Sequence, residues 1–346
     1  MTCLVRCKPF KPESKIWRKI GARRIMEKKY NYLFGPVPSR RFGRSLGVDL
    51  TPYKTCSLDC IFCQLGRTTE KTVARKEYVP TDIVLSELKD WLDKDGRADY
   101  ITLSGSGEPT LHSRFGEVLE FIRSNSKIPA VLLSNGTMLN LPEVRDAAAC
   151  ANVVKCSLSA WNQASYEWVN RPHPQLRFDD LIKGQKDFRE QFKGQLWMEI
   201  FLIAGINSIP ANVRKIADLA KEIGPDRIHL NTAVRPPSED YATPLSEKRM
   251  EALTDLFHPT AEIIAEFKAK RGNHVRANQE MIFSMLQRRP CTADQIADVF
   301  DMHLNEVSKY LGKLIRTGQI RSELKKRAVY YSVVSRKEKD KAFTSA

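Results

Sequence analysis

Residues 45–63 read SLGVDLTPYKTCSLDCIFC and join a short apolar strand pattern to three closely spaced cysteines. Cys56, Cys60 and Cys63 have the spacing Cys-x-x-x-Cys-x-x-Cys and follow the predicted strand in a loop that also holds Phe62. The chain has 8 cysteines in 346 residues, too few and too irregularly spaced for a disulfide scaffold. The tight group of three therefore indicates a metal site at the end of a strand.

The number of thiols favours an iron-sulfur cluster over a single metal ion. Three thiolates can hold three irons of a [4Fe-4S] cube and leave one iron to bind a substrate. Zinc is the main alternative, but a closed structural zinc site takes four ligands, usually in two pairs. No fourth Cys or His occurs within 40 residues downstream of Cys63. An incidental grouping of cysteines is the third alternative.

From residue 45 onward the chain alternates short apolar runs with amphipathic stretches, which predicts strand-helix units around a parallel sheet. Six strands are predicted at residues 45–50, 100–104, 130–134, 153–158, 197–203 and 227–231. Helices are predicted at residues 81–92, 113–123, 142–150, 178–192 and 210–223, the first two with N-caps at Thr81 and Ser113. Six such units form a barrel-like or partly open α/β domain, in which chemistry lies at the carboxyl ends of the strands.

Beyond residue 270 the pattern predicts three helices, at residues 279–287, 292–300 and 305–317, and strands at 320–324 and 329–334. Three helices and a basic hairpin are the outline of a winged helix-turn-helix, with its bridging turn at 301–304. Such a domain docks either nucleic acid or protein, and both alternatives stay open. Basic side chains on the third helix and the hairpin, where phosphates would lie, are Lys309, Lys313, Arg316, Arg321, Lys325, Lys326 and Arg327.

Composition and charge exclude several classes of protein. With 42% hydrophobic and 28% charged residues, the chain is not disordered, collagenous or a coiled coil. No stretch approaches the roughly 18 apolar residues of a membrane-spanning helix, and no apolar run of a secretory signal follows the basic N-terminus. These features predict a cytoplasmic protein without membrane contact. Residues 1–30 carry 10 basic and 2 acidic residues and residues 271–346 carry 15 and 8, whereas residues 31–270 carry 31 of each.

The cysteine spacing, with an aromatic residue just before the third cysteine, resembles the signature of the radical S-adenosylmethionine (SAM) superfamily. The stretch Ser104-Gly105-Ser106-Gly107-Glu108-Pro109 resembles the glycine-glycine-glutamate motif of the superfamily, with Ser106 in place of the first glycine of that pair. The resemblance implies an α/β fold, a partial (β/α)6 barrel, here with a C-terminal winged helix-turn-helix domain. It also implies two cofactors, a [4Fe-4S] cluster bound by Cys56, Cys60 and Cys63, and SAM.

The same resemblance implies which residues contact SAM. Glycines let a backbone approach a ligand closely, and Glu108 can accept hydrogen bonds from the ammonium group of the cofactor. Short polar side chains after the third and fourth strands can face a ribose or carboxylate, and residues 203–206 resemble the apolar segment that flanks adenine. The residues assigned to SAM on this basis are Phe62, Gly105, Ser106, Gly107, Glu108, Ser134, Asn135, Ser157 and Glu199.

A second motif precedes the loop that holds Cys56, Cys60 and Cys63, which we call the cysteine loop. This motif reads Phe34-Gly35-Pro36-Val37-Pro38-Ser39-Arg40-Arg41. With residues 104–112 and 231–237, it is similar to an iron-sulfur oxidoreductase branch that is grouped with the wyosine-forming tRNA enzymes. Those enzymes hold a second cluster through three further N-terminal cysteines, whereas only Cys3 and Cys7 precede the trio here. This departure counts against wyosine chemistry. Basic side chains that suit a phosphate or carboxylate, or a structural ion pair, are Arg40, Arg41, Arg44 and Arg235.

The reaction implied by the resemblance begins with an external one-electron donor of the flavodoxin or ferredoxin type. The reduced cluster cleaves SAM to methionine and a 5'-deoxyadenosyl radical, which abstracts hydrogen from a substrate. A tRNA base is the favoured substrate. Alternatives are a small-molecule or protein substrate, and a DNA-binding regulator in which the cluster or SAM site is a sensor. The predicted domains are a basic tail at residues 1–30, the radical SAM barrel at 31–270 and the winged helix at 271–346.

Overall fold

The computed structural model describes residues 30–39, 42–94, 96–234, 237–265, 279–300, 302, 304–325 and 328–334. The chain divides into two compact units, Met1–Asn31 and Tyr32–Ala346. The predicted basic tail lies outside the described residues except for Tyr30, and the predicted boundary near residue 270 also lies outside them. Among the described residues, no helix combines the length and the hydrophobicity needed to cross a membrane. The cytoplasmic location stays a prediction.

An open sheet of eight strands forms the centre of the second unit. Its strands are β1 Leu33–Ser39, β2 Gly43–Val48, β5 Tyr100–Leu103, β6 Ala130–Leu133, β7 Val153–Ser157, β8 Gln195–Leu202, β9 Arg227–Thr232 and β10 Glu262–Ile263. They are hydrogen-bonded in that order, and every pair is parallel except β1 with β2. Two short strands, β3 Thr55–Cys56 and β4 Glu70–Lys71, form a separate parallel pair. This mixed α/β architecture is consistent with a partial barrel.

The six predicted strands correspond to β2 and β5–β9, with ends that differ by one to a few residues. Strand β1 was not predicted, because Pro36 and Pro38 interrupt its pattern. A proline removes a donor from the sheet and is tolerated on an edge strand. Strand β1 lies at that edge and pairs only with β2 within the described part of the sheet.

Seven helices precede residue 265 in the described chain: α1 Thr81–Lys94, α2 Phe115–Asn125, α3 Pro142–Ala148, α4 Gln163–Asn170, α5 Phe178–Gln191, α6 Pro210–Ile223 and α7 Glu247–Thr254. The cap assignments at Thr81 and Ser113 were each wrong by one residue, since α1 begins at Thr81 itself and Arg114 precedes α2. Helices α4 and α7 were not predicted. Each buries only two apolar residues, Tyr166 with Val169 and Met250 with Leu253, too few for an apolar repeat to stand out.

One face of the sheet carries aromatic and polar residues in layers. Trp197, Glu199 and Phe201 alternate along β8 and therefore share this face. Phe42 stacks on Trp197 with the ring centroids 5.0 Å apart, and Phe62 of the cysteine loop stacks on Phe201 at 4.1 Å. The layer around Glu199 thus lies between two aromatic layers, and the cysteine loop covers the carboxyl end of this face.

The end of the described chain, which we call the C-terminal module, has three helices and an antiparallel hairpin: α8 Gln279–Arg288, α9 Ala293–Phe300, α10 Leu304–Arg316, β11 Ile320–Lys325 and β12 Ala328–Val333. The order of elements matches the prediction. Thr292 caps α9 as predicted, since its Oγ1 accepts from the Gln295 amide at 3.2 Å and Gln295 Oε1 accepts from the Thr292 amide at 3.1 Å. The bridging turn at 301–304 is described only at Met302 and Leu304.

Candidate metal centre

The cysteine loop begins in β3 and is fastened to the end of α4. The Cys63 amide donates to the Cys60 carbonyl at 3.1 Å, which closes a turn. The Asp59 amide donates to the Asn170 carbonyl, the last residue of α4, at 3.0 Å. The first bond shapes the loop from within, and the second joins it to α4, so the fold helps to set its course.

Each of the three cysteine sulfurs accepts a hydrogen bond from a different part of the chain. The pairs are Lys54 Nζ to Cys63 Sγ at 3.1 Å, Asn170 Nδ2 to Cys60 Sγ at 3.3 Å, and Asn135 Nδ2 to Cys56 Sγ at 3.6 Å. Such donors favour the ionised thiolate over the neutral thiol. These donors oppose the effect of burial and would stabilise the thiolates once a metal has displaced their protons.

The donor set fits an iron-sulfur cluster. Burial raises the pKa of Cys56 to about 12 and raises that of Cys60 from its ordinary value of 9.0, so metal binding must displace protons from both. Among the described residues, no three His, Cys, Asp or Glu side chains are grouped so that they could hold one metal ion. Three thiolates from one loop match the three irons of a [4Fe-4S] cube that take protein ligands.

The turn at residues 104–109 packs against the cysteine loop. The Glu108 amide donates to the Thr55 carbonyl at 3.1 Å, and the Lys54 amide donates to the Ser106 carbonyl at 2.6 Å. A side chain on Gly107 would overlap the carbonyl of Thr55. The glycine thus permits a close backbone approach, and in the described chain the group approached is the residue before Cys56.

The carboxylate of Asp49 binds the part of this turn that contains Ser106. Asp49 Oδ1 accepts from the Ser106 amide at 3.0 Å, and Asp49 Oδ2 accepts from the Ser106 hydroxyl at 2.6 Å. A side chain on Gly105 would overlap the carboxylate of Asp49. The serine that replaces the first glycine of the motif pair is therefore bound to the residue that follows β2, and its hydroxyl stabilises the turn.

Glu108 connects the turn to the end of β6. Its Oε1 accepts from the Thr110 amide at 3.1 Å, the Thr110 hydroxyl at 2.6 Å and the Ser134 hydroxyl at 2.8 Å. Its Oε2 accepts from the Asn135 amide at 2.7 Å. Burial raises the pKa of Glu108 and these donors oppose that shift. A carboxylate has about four acceptor positions, so Oε1 is saturated and Oε2 has room for another donor.

A small cavity of about 10 Å³ lies beside the trio, between the ends of β6 and β7 and the helices α4 and α5. Tyr166 Oη, in α4, is fully buried and has no hydrogen-bond partner among the described residues. A buried hydroxyl of this kind costs free energy unless a ligand or water bonds to it. The polar side chains that line the cavity are those of Asn135, Ser157, Ser159, Tyr166 and Asn170.

Glu199 lies beside Ser157 in the β7–β8 ladder, deeper in the sheet than Phe62, Glu108 and Ser134. It forms an ion pair with Lys155 of β7, and its Oε1 accepts from Asn231 Nδ2 of β9 at 2.9 Å. Lys155 and Glu199 are 7% and 8% exposed, so both charges are buried. This polar layer lies below Phe201, whereas Phe62, Glu108, Ser134, Asn135 and the three cysteines lie at the carboxyl ends of the strands.

Several residues of the centre were not predicted from the sequence. Lys54 precedes Cys56 by two positions and has no motif of its own. Asn170 and Tyr166 lie on α4, which the pattern did not reveal. Lys155 occupies a strand that reads as apolar. A lysine within an apolar strand was the one available signal, because a buried charge requires a partner.

The predicted basic groups are only partly described. Lys309, Lys313, Arg316 and Arg321 are exposed on α10 and β11, and Lys325 pairs with Glu323 at 3.5 Å. Lys326 and Arg327 lie outside the described residues, as do Arg40, Arg41 and Arg235. Of the four arginines predicted near the barrel mouth, only Arg44 is described, and its amide donates to Asp99 Oδ2 at 2.7 Å.

Comparison with known proteins places this centre in a superfamily. The model of the Radical SAM superfamily matches residues 50–220, which contain the cysteine loop and the strands β5–β8. A UPF0026 protein of Methanocaldococcus jannaschii is 34% identical over 253 residues, which are 72% of this chain and 77% of that protein. The match thus extends well beyond the cysteine motif.

Two further relatives differ in extent. A GTPase Obg of Brachyspira hyodysenteriae is 35% identical over 310 residues, which are 88% of this chain but 45% of that protein, so the chain spans less than half of it. A probable dual-specificity RNA methyltransferase of Streptococcus agalactiae is 22% identical over 189 residues, about half of each chain. Neither name describes this chain.

Proposed function

Because the chain belongs to the UPF0026 family within the radical SAM superfamily, whose enzymes use a [4Fe-4S] cluster and SAM, we propose that it reductively cleaves SAM and modifies a substrate. The observation that carries this proposal is the set of three cysteine sulfurs, each with its own N–H donor, at the carboxyl end of a mostly parallel sheet.

The chain's own residues bind and enclose the cofactors. Cys56, Cys60 and Cys63 hold three irons and leave the fourth for SAM. When bound, the two cofactors supply one-electron cleavage of SAM and a 5'-deoxyadenosyl radical. Phe62, stacked on Phe201, seals the cysteine loop against the inner face of the sheet and keeps water from the polar layer below. An external flavodoxin- or ferredoxin-type donor supplies the electron.

SAM binds along the edge formed by the turn at 104–108 and the ends of β6 and β7. Glu108 Oε2 accepts from its ammonium group, since Oε1 is already saturated. Asn135 and Ser157, which line the small adjoining cavity, would face polar groups of SAM, and the Tyr166 hydroxyl there is a donor without a protein partner in the described chain. Glu199 supports this SAM site from deeper in the sheet, through its buried ion pair with Lys155.

The substrate that we propose is an RNA base, most simply in tRNA. The C-terminal module has the element order of a winged helix, and exposed Lys309, Lys313, Arg316 and Arg321 lie on its third helix and hairpin. Cations at these two elements suit a phosphate backbone. The similarity to an RNA methyltransferase supports this class of substrate.

The test is anaerobic reconstitution with iron and sulfide, reduction with dithionite, and assay of 5'-deoxyadenosine with and without bulk tRNA. We expect the nucleoside to form and tRNA to increase its yield. The variant Cys60→Ala should lose the cluster, whereas Cys150→Ala, which changes a cysteine outside the loop, should keep it. Glu108→Ala should keep the cluster and weaken SAM binding.

The outcomes separate the alternatives. A cluster that binds SAM without ever cleaving it would favour the DNA-binding sensor. Cleavage that tRNA does not stimulate would favour a small-molecule or protein substrate. Unchanged iron in Cys60→Ala would overturn the assignment of the trio.

A further inference from the structure

We propose that Lys54 and Asn170 are positioning residues that set the reduction potential of the cluster, a proposal that rests on the proposed function. Lys54 donates a hydrogen bond to Cys63 and Asn170 donates one to Cys60. Neither residue belongs to the cysteine motif. Both reach a ligand sulfur from a backbone that the fold holds in place.

The backbone of Lys54 is fixed on both sides. Its φ of +60° lies in the left-handed region, which non-glycine residues adopt only where their surroundings enforce it. Its amide donates to the Ser106 carbonyl at 2.6 Å, and its carbonyl accepts from the amides of Thr69 and Glu70, each at 3.2 Å. Three bonds thus hold an unfavourable conformation whose effect is to direct the side chain at Cys63.

The charge on Lys54 also requires an anion. The residue is 3% exposed, and an ammonium removed from water is costly unless a partner compensates it. In the described part of the chain, the polar group within reach of its Nζ is Cys63 Sγ at 3.1 Å. A cube held by three thiolates is anionic in both of its working oxidation states, so the bound cluster supplies the missing negative charge.

Asn170 is placed by the end of α4. It is 5% exposed, its carbonyl accepts from the Asp59 amide at 3.0 Å, and the chain turns into the left-handed region at Arg171 with a φ of +47°. The side chain then donates from Nδ2 to Cys60 Sγ at 3.3 Å. The amide is neutral, so its influence on the sulfur is weaker than that of the ammonium.

The electrostatic consequence has a definite sign. Reduction adds one negative charge to the cluster, and a positive charge or an N–H dipole aimed at a ligand sulfur stabilises the added electron. Hydrogen bonds to sulfur are among the determinants of iron-sulfur potentials. Lys54 and Asn170 therefore raise the potential and ease reduction by an external donor.

The experiment is an EPR-monitored potentiometric titration of the reconstituted full chain without SAM. Lys54→Met keeps the length of the side chain and removes the charge and the donor. Lys94→Met is the matched control, because Lys94 is exposed at the end of α1, before the amino end of β5, and pairs with Asp90. Asn170→Leu tests the second donor, and Lys54→Arg should restore part of the effect.

At a fixed potential, the ratio of reduced to oxidised cluster should fall at least about tenfold in Lys54→Met, equivalent to about 59 mV for one electron. Asn170→Leu should lower it by about threefold and Lys94→Met should not change it. Wild-type ratios in both Lys54→Met and Asn170→Leu would overturn the proposal. So would a change in Lys54→Met that appears only when SAM is added, since the ammonium would then serve the ligand.

Iron content distinguishes this inference from the proposed function. If the wild type binds no cluster, the proposed function fails first. If the wild type binds one and Lys54→Met does not, Asn170→Leu decides alone, and an unchanged ratio in it overturns the proposal.

Discussion

Gly107 shows how a single residue in this protein links two motifs. Its Cα lies against the carbonyl of Thr55, one residue before the first cysteine ligand, and the next residue donates its amide to that same carbonyl. A glycine in a nucleotide or cofactor motif is usually explained by close approach to a ligand. Here the space is taken by the protein itself, so the motif holds the cysteine loop, in addition to the contact with SAM that we propose for it.

We therefore expect Gly107→Ala to reduce cluster retention. The added methyl group meets a backbone carbonyl, which cannot rotate away as a flexible side chain would, and overpacking of this kind costs about 1–3 kcal/mol. Iron content per chain after reconstitution and gel filtration measures the effect. Gly312→Ala, where the nearest atom is the end of the Arg316 side chain at 3.4 Å, is the control. Equal iron in both variants would contradict the expectation.

At the scale of elements, the segment after β9 is clamped onto the cysteine loop. Glu239 Oε1 accepts from Arg171 Nη1 at 2.6 Å and from Arg67 Nη1 at 2.5 Å. The Glu239 amide donates to the Ile61 carbonyl at 3.1 Å, and the Ser238 hydroxyl donates to the Cys60 carbonyl at 2.8 Å. The loop is thus held from three directions, by α4, by the turn at 104–109 and by this clamp.

The clamp should weaken in acid. Chiefly because Arg171 bonds to its carboxylate, the pKa of Glu239 lies below its ordinary value of 4.5. A lowered pKa means that the stabilisation is complete above about 4.5 and is lost as the pH falls through the folded-state value. The thermal midpoint of the cluster-free chain should exceed that of Glu239→Gln at pH 7, and the difference should shrink below pH 4.5. A difference independent of pH would contradict this.

The buried pair in the strands should behave differently from the clamp. Lys155→Met removes the positive charge beside the buried carboxylate of Glu199, and breaking a buried pair costs about 3–5 kcal/mol. Replacing both residues at once, by Lys155→Met with Glu199→Leu, should recover most of that loss, because no isolated charge remains. Urea unfolding of the cluster-free variants measures both effects. A double variant as unstable as the single one would show that the pair is not the source of the cost.

At the scale of the whole molecule, the excess of positive charge lies in other segments of the sequence than the metal centre. Residues 31–270 carry equal numbers of basic and acidic residues, and they contain Cys56, Cys60, Cys63 and every residue assigned to SAM, whereas the excess of positive charge lies at the two ends. The C-terminal module has its own buried core, which includes Ile282, Phe300 and Leu311. The excess of positive charge that could bind a polyanion therefore lies outside the segment that holds the cysteine loop.

If the module docks RNA, its lysines should control the salt dependence of binding. Replacing Lys309 and Lys313 by Gln should reduce the slope of log affinity against log salt by about 0.7–0.9 for each phosphate that the module no longer neutralises. The control is the same change at Lys94 and Lys186, whose side chains are 58% and 38% exposed on α1 and α5. Fluorescence anisotropy with labelled tRNA provides the measurement. Equal slopes in the two double variants would exclude the module as the docking surface.

The ligands of the metal centre and the alternation of strands and helices could be predicted from the amino-acid order alone. The three cysteines stand close together because one loop after a strand must supply all three thiolates, and apolar runs mark β2 and β5–β9 wherever the sheet is covered. The same logic revealed the three helices and hairpin of the C-terminal module, whose apolar spacing is strong. Strand β1, rich in proline, and the short helix α4 carry no such signal.

The surroundings of those ligands could be found only in the folded chain. Lys54, Asn135 and Asn170 come from three separate places in the chain, and no spacing in the sequence relates them to the sulfurs they bond. The same is true of the pair between Lys155 and Glu199, which depends on the register of β7 against β8. The identity of the ligands follows from the local amino-acid sequence. The electrostatics of a buried site depends on contacts between residues far apart in sequence, and these contacts exist only after folding.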